Sequence, residues 1–183
     1  GREDPDKVTM VQFHQSYSYE DFIMGIRPTE NGFKLHKGIF YRFCKKAEED
    51  SDNLYFFIID EINRGNVSRI FGETFMLIEN DKRDTESISL LYNENDNEEE
   101  RFSVPENVRI IGLMNTADRS IAMIDYALRR RFSFIPLEPA FNNRKFRKYL
   151  NEVADERLER LIGVVKLINE QISDDDTLGK GFC

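Results

Sequence analysis

Only two cysteines, Cys44 and Cys183, occur in 183 residues, too few for a disulfide framework. Neither they nor the two histidines stand at a zinc-binding spacing. No apolar run approaches the length of a membrane span, and the polar start GREDPDK lacks the apolar stretch of a secretory signal. These absences argue against a disulfide-stapled protein or a membrane-spanning helix and favour a cytoplasmic reading, with no membrane partner. Net positive charge is missing as well: the formal charge is −8 and the pI near 5.0. The average surface should therefore not cling to nucleic acid or anionic lipid, which leaves only a local basic patch or a partner for such contact. Finally, no G-x-x-x-x-G-K-[ST] occurs. Gly179-Lys180-Gly181 comes nearest, but Asp174 stands where the upstream glycine would be.

What remains suits one core, with or without a small appendage, since 40% of the residues are hydrophobic. The abrupt start and the ending GKGFC read as a piece of something longer. The most informative stretch is FFIIDEINRG, residues 56 to 65. A buried parallel strand that ends on Asp60 and Glu61 delivers two acids to the carboxyl edge of a sheet, where open α/β sheets bind ligands.

Around that strand, apolar period marks the other elements. Val8 to Phe13 reads as a strand. Tyr17 to Ile26 has Tyr19, Phe22, Ile23 and Ile26 at helical spacing and stops before Pro28. Phe33 to Leu35 reads as a small strand after an Asn-Gly turn, and residues 38 to 50 as a helix. After Asp60-Glu61, Val67, Ile70, Phe71, Phe75 and Ile78 line one helical face. Residues 87 to 104 read as a hairpin with the acidic tip NENDNEEE, Val108 to Met114 as a strand ending in polar residues, Ile121 to Arg130 as a helix, and Phe132 to Ile135 as a strand. From Asn143 to about Ile172 the pattern is helical, with Leu158, Leu161, Ile162, Val165 and Ile168 as an apolar stripe. Alternating strands and helices give an α/β fold, a parallel sheet flanked by helices. The alternation yields to helices alone at Pro136 to Phe141, so the organisation expected is a core over 1–140 and the start of a helical subdomain over 141–183.

Three constellations carry chemistry. Asp60, at a strand end, suits the water shell of Mg²⁺, a hard cation that takes oxygen ligands, and Glu61 suits activation of a water. The same pair also suits an ordinary surface turn, so context decides. Asn115, at the end of the second polar-ended strand, can hold a water or touch a terminal phosphate without adding charge; it is also a common turn-former. Arg129-Arg130-Arg131 ends a helix, where the macrodipole favours cations, and can equally reach phosphate in a neighbouring subunit.

These segments carry a resemblance. FFIIDE resembles a Walker B motif, MNTAD a sensor 1, and DYALRRRF the arginine-finger segment of the AAA+ ATPases. More narrowly, VQFHQSYSYEDFIMGIRP, IIDEINRGNVSRIFGE and IIGLMNTADRSIAMIDYALRRRF resemble the McrB-like AAA+ GTPases, the motor subunits of modification-dependent restriction systems. The resemblance runs from Val8 to Phe141 and resumes at LGKGFC.

That resemblance implies a partial AAA+ P-loop NTPase core with the start of a C-terminal helical lid. It implies Mg²⁺ and GTP, or ATP, as cofactor and substrate. Asp60 would hold the magnesium through water, Glu61 would activate the attacking water, and Asn115 with Asp118 would position it. Arg130 and Arg131 would act across the interface of a homo-oligomeric ring. It implies an McrC-like nuclease subunit as partner in 5-methylcytosine-dependent restriction, with DNA reached through other domains. A MoxR-like or dynein-related ATPase acting on proteins, or a non-catalytic AAA+ assembly module, would share most of these residues. The departure from the pattern is the missing phosphate loop, expected before Val8, so this stretch alone is expected to bind nucleotide weakly or not at all. Its missing strand would lie between the strands at 108–114 and 132–135.

Overall fold

A computed structural model describes residues 5–30, 32–92, 101–115, 126–137 and 139–174. It divides into two units, one of residues 1–114 and 122–132, the other of 115–121 and 133–183. At the centre of the first unit is a parallel sheet of β1 (Val8–Gln12), β4 (Tyr55–Asp60) and β7 (Val108–Gly112), in the order β1-β4-β7. The register pairs Val8 with Phe56 and Gln12 with Asp60 on one side of β4, and Tyr55 with Val108 on the other. The middle strand is aromatic and β-branched, as a half-buried pleated surface requires.

Side chains alternate across this sheet. Tyr55, Phe57 and Ile59 are buried on one face, under α1 (Tyr19–Phe22), α2 (Ile39–Glu49) and α3 (Val67–Phe71). Phe22 stacks on Phe40 at 4.9 Å and meets Phe57 and Phe71 edge-on at 5.7 and 4.7 Å. Each such pair adds about 0.5–1.5 kcal/mol beyond its area. The other face, carrying Met10, Phe56, Ile58 and Ile111, is covered only in part: Met10 is 57% exposed and Ile111 40%.

Caps and close approaches set the helix ends. Asn66 accepts from the Arg69 N–H at 3.0 Å and starts α3, a cap of about 1 kcal/mol. Gly72, at φ 53°, ends it and turns the chain into a 3₁₀ run, Gly72–Ile78. The Tyr19 hydroxyl donates to Glu73 at 2.7 Å, tying α1 to that run; burial, and then the hydrogen-bonded Glu73, push the phenol pKa up. The helix expected over 67 to 78 is therefore a short α-helix continued as a tighter one.

Other expectations need correction. The helix expected over Tyr17–Ile26 is a single turn, and the chain then pairs as β2 (Met24–Thr29) with β3 (Gly32–Lys37) in an antiparallel hairpin. Apolar spacing across Tyr19 to Ile26 fits one helical turn followed by a strand as well as it fits a helix, and cross-strand pairing decides. The hairpin expected at 87–104 is present among the described residues as β5 (Ile88–Ser89) antiparallel to β6 (Arg101–Phe102). The acidic tip, 93–100, lies outside the described residues. Phe132 closes α4 (Tyr126–Arg131), its N–H donating to Leu128. No strand follows over Phe132–Ile135, where Ile135 is 81% exposed, because the segment finds no ladder partner among the described residues.

In the second unit, α5 (Arg144–Val153) and α6 (Glu156–Asp174) make up the helical stretch expected from Asn143 onward. Ala154 breaks it with a left-handed backbone, φ 48°, and Asp155 restarts the chain by accepting the Arg157 N–H at 2.8 Å. Of the predicted stripe only Ile162 is buried; Leu161 is 59% exposed.

Candidate functional site

The parallel register places Gln12 and Asp60 side by side at the carboxyl edge of the sheet. Gln12 Nε2 donates to Asp60 Oδ2 at 3.3 Å, and the Glu61 backbone N–H donates to Asp60 Oδ1 at 3.1 Å. The Phe13 N–H donates to the Asp60 carbonyl at 2.9 Å, fixing that strand end from the β1 side. Asp60 is half-buried with both oxygens oriented, yet each oxygen keeps lone-pair capacity.

Glu61 is the bend. Its backbone is left-handed, φ 51° and ψ 43°, uncommon for a residue that carries a Cβ. The bend drops Ile62 into the core, and the Ile62 N–H donates to the Leu113 carbonyl at 3.0 Å. Leu113 in turn donates to Ile59 at 2.8 Å, so the turns that follow β4 and β7 are laced together. A 3₁₀ turn, Ile62–Arg64, then carries Arg64 back over Glu61. The Glu61 side chain is 19% exposed, and its Oε2 lies 3.2 Å from Arg64 Nε. That oxygen is buried and accepts no aligned hydrogen bond, so the contact is between charges.

The other predicted residues fall as follows. Asn115 is exposed and belongs to the second unit, immediately after Met114 in the chain. Asp118 lies outside the described residues. Arg129 and Arg130 are exposed at the end of α4, whereas Arg131 is engaged within its own unit. Arg131 Nε donates to the Phe75 carbonyl at 2.9 Å, its NH2 nitrogen pairs with Glu79 at 2.7 Å, and its guanidinium lies over the Phe75 ring at 4.4 Å.

The donor chemistry at Asp60 suits a hard cation. Among the described residues no group of three or more His, Cys, Asp or Glu could hold a metal alone. An ion here would keep most of its water and lean on phosphate, which is how Mg²⁺ binds.

Residue types alone did not point to Gln12 and Arg64. For Gln12 the signal was there, since aligning the ends of VTMVQ and YFFIID sets it opposite Asp60. For Arg64 the signal is its place three residues after Glu61 on a tight turn.

Comparison with known proteins adds the following. The family model described as "AAA domain (dynein-related subfamily)" matches residues 3–132. The chain is 58% identical, over all of its length, to the type IV methyl-directed restriction enzyme EcoKMcrB subunit of Escherichia coli K12. It is 26% identical, over 74% of its length, to the type II restriction enzyme BsuMI component YdiS of Bacillus subtilis 168. It spans 40% and 50% of those two relatives. A solved structure of a candidate ATPase from Cytophaga hutchinsonii superposes with a TM-score of 0.43 at 12% identity, covering 82% of this chain and 39% of that one.

Proposed function

The chain belongs to the dynein-related subfamily of AAA domains, and from that premise we propose that it is the hydrolytic half of a nucleoside triphosphatase motor, the GTP-hydrolysing subunit of a modification-dependent restriction system. The observation that carries the reading is the Asp60-Glu61 bend at the carboxyl edge of the sheet, with both carboxylates oriented by named partners. The restriction system is supported by the 58% identity to a subunit so described.

In this reading Asp60 holds the water shell of Mg²⁺, and the metal, when bound, neutralises charge on the phosphates. Glu61 orients and deprotonates the attacking water, and Asn115 with Asp118 keeps that water in line. Arg130, at the exposed end of α4, reaches the phosphates of a neighbouring subunit in a homo-oligomeric ring. Arg131 is less suited to that part, because its guanidinium is committed to Phe75 and Glu79. The phosphate-cradling loop is supplied by the rest of the full-length protein, as are the contacts with DNA and with an McrC-like nuclease subunit. Among the described residues no helix is long and apolar enough to cross a membrane.

In the full-length protein, Glu61→Gln should bind nucleotide normally and lose turnover by about a hundredfold or more, as removal of a general base does. Turnover at the wild-type rate would remove Glu61 from the mechanism. The dynein-related family match favours a second reading, an ATPase that remodels proteins through the same residues. It predicts hydrolysis of ATP with no response to a nuclease subunit.

A further inference from the structure

Arg64 has no part in the chemistry above, and its geometry gives it one. We propose that Arg64 is the positioning residue for Glu61: it claims Oε2 and thereby leaves Oε1 as the oxygen that meets the attacking water. The proposal rests on the reading of Glu61 as the water-activating group.

Ion pairs between exposed residues three apart fix little, because both side chains remain free to move. This pair differs from that pattern in three respects. Glu61 is 19% exposed, with Oε2 buried, so a carboxylate turned this way needs a cation beside it. Its backbone is locked in the left-handed bend between a strand end and a buried Ile62. Arg64 stands on the same closed turn, its N–H donating to the Glu61 carbonyl at 2.8 Å, so both ends of the pair share one rigid frame.

That frame is itself pinned. Gly65, next in the chain, passes so close to the core that a Cβ there would meet Ile70 at 2.6 Å and Phe13 at 3.2 Å. Asn66 then caps α3. Close packing at Gly65 and the cap at Asn66 hold the turn between the core and α3. A guanidinium carries five N–H groups, so contact through Nε leaves the rest of the fork for other partners. Lysine at this position would restore the charge but not the direction.

The test uses the full-length protein. Single-turnover GTP hydrolysis, the dissociation constant of a fluorescent GDP analogue and the melting temperature are measured for Arg64→Met, Arg64→Lys, Glu61→Gln and the double variant Glu61→Gln/Arg64→Met. Arg64→Met keeps an apolar stem of similar length but carries no N–H donor, and should slow hydrolysis about tenfold while nucleotide affinity stays within about twofold. Arg64→Lys should regain part of the rate. Added to Glu61→Gln, Arg64→Met should cost no more than about twofold, because a residue that acts through another loses its effect when that other is gone.

A wild-type rate in Arg64→Met would overturn the positioning role. So would a full tenfold cost in the Glu61→Gln background, or a loss of affinity that matches the loss of rate. Wild-type hydrolysis in Glu61→Gln would instead overturn the functional reading on which the proposal stands.

Discussion

Arg130 and Arg131 are adjacent and identical in type, yet their surroundings differ. Arg131 makes a hydrogen bond, an ion pair and a ring contact inside its own unit, while Arg130 lies exposed at the helix end. Arg131→Ala should therefore cost about 1–3 kcal/mol of stability, the range for removing a partner from a part-buried charged hydrogen bond. Arg130→Ala should cost less stability than Arg131→Ala and abolish turnover in the assembled protein. Thermal melts and hydrolysis of the two variants check this; equal destabilisation by both would contradict it. At this scale the sequence disclosed the acids through their place after an apolar strand. It did not disclose the left-handed Glu61, because no glycine or asparagine marks that position, nor the cis commitment of Arg131, which needs residues more than fifty positions away.

Elements show the same division between local and distant causes. α2 was legible because its apolar period and its start after Gly38 agree, and Gly38 is needed there: a Cβ would meet the Phe22 carbonyl group at 2.4 Å. The β2–β3 hairpin was obscured because Pro28 reads as a helix stop, whereas a hairpin tolerates it next to the turn, opposite Phe33. The break at Ala154 carries no glycine to announce it. Gly72 makes the clearest prediction. At φ 53° and ψ −136°, with the Tyr19 ring 2.9 Å from where a Cβ would stand, Gly72→Ala should cost about 1–3 kcal/mol. Urea denaturation of the full-length protein measures it, and an unchanged midpoint would show that the turn can relax.

For the whole molecule, the sheet order β1-β4-β7 leaves the outer edge of β7 without a strand among the described residues, and the face carrying Met10 and Ile111 partly bare. Parallel sheets are normally covered on both faces. The 183-residue chain by itself should accordingly bind a hydrophobic dye such as ANS strongly, and the full-length protein only weakly; equal, weak binding by both would mean that this face is already satisfied. Alternating strands and helices made the α/β architecture readable, but a strand's existence depends on a neighbour, which is why Phe132–Ile135 reads as a strand and pairs with nothing described. The proposed restriction motor is tested most directly by steady-state turnover of GTP and of ATP by the full-length protein, with and without an McrC-like nuclease subunit. GTP-selective turnover that rises when the nuclease subunit is added is the predicted result; turnover of ATP alone, indifferent to that subunit, would contradict it.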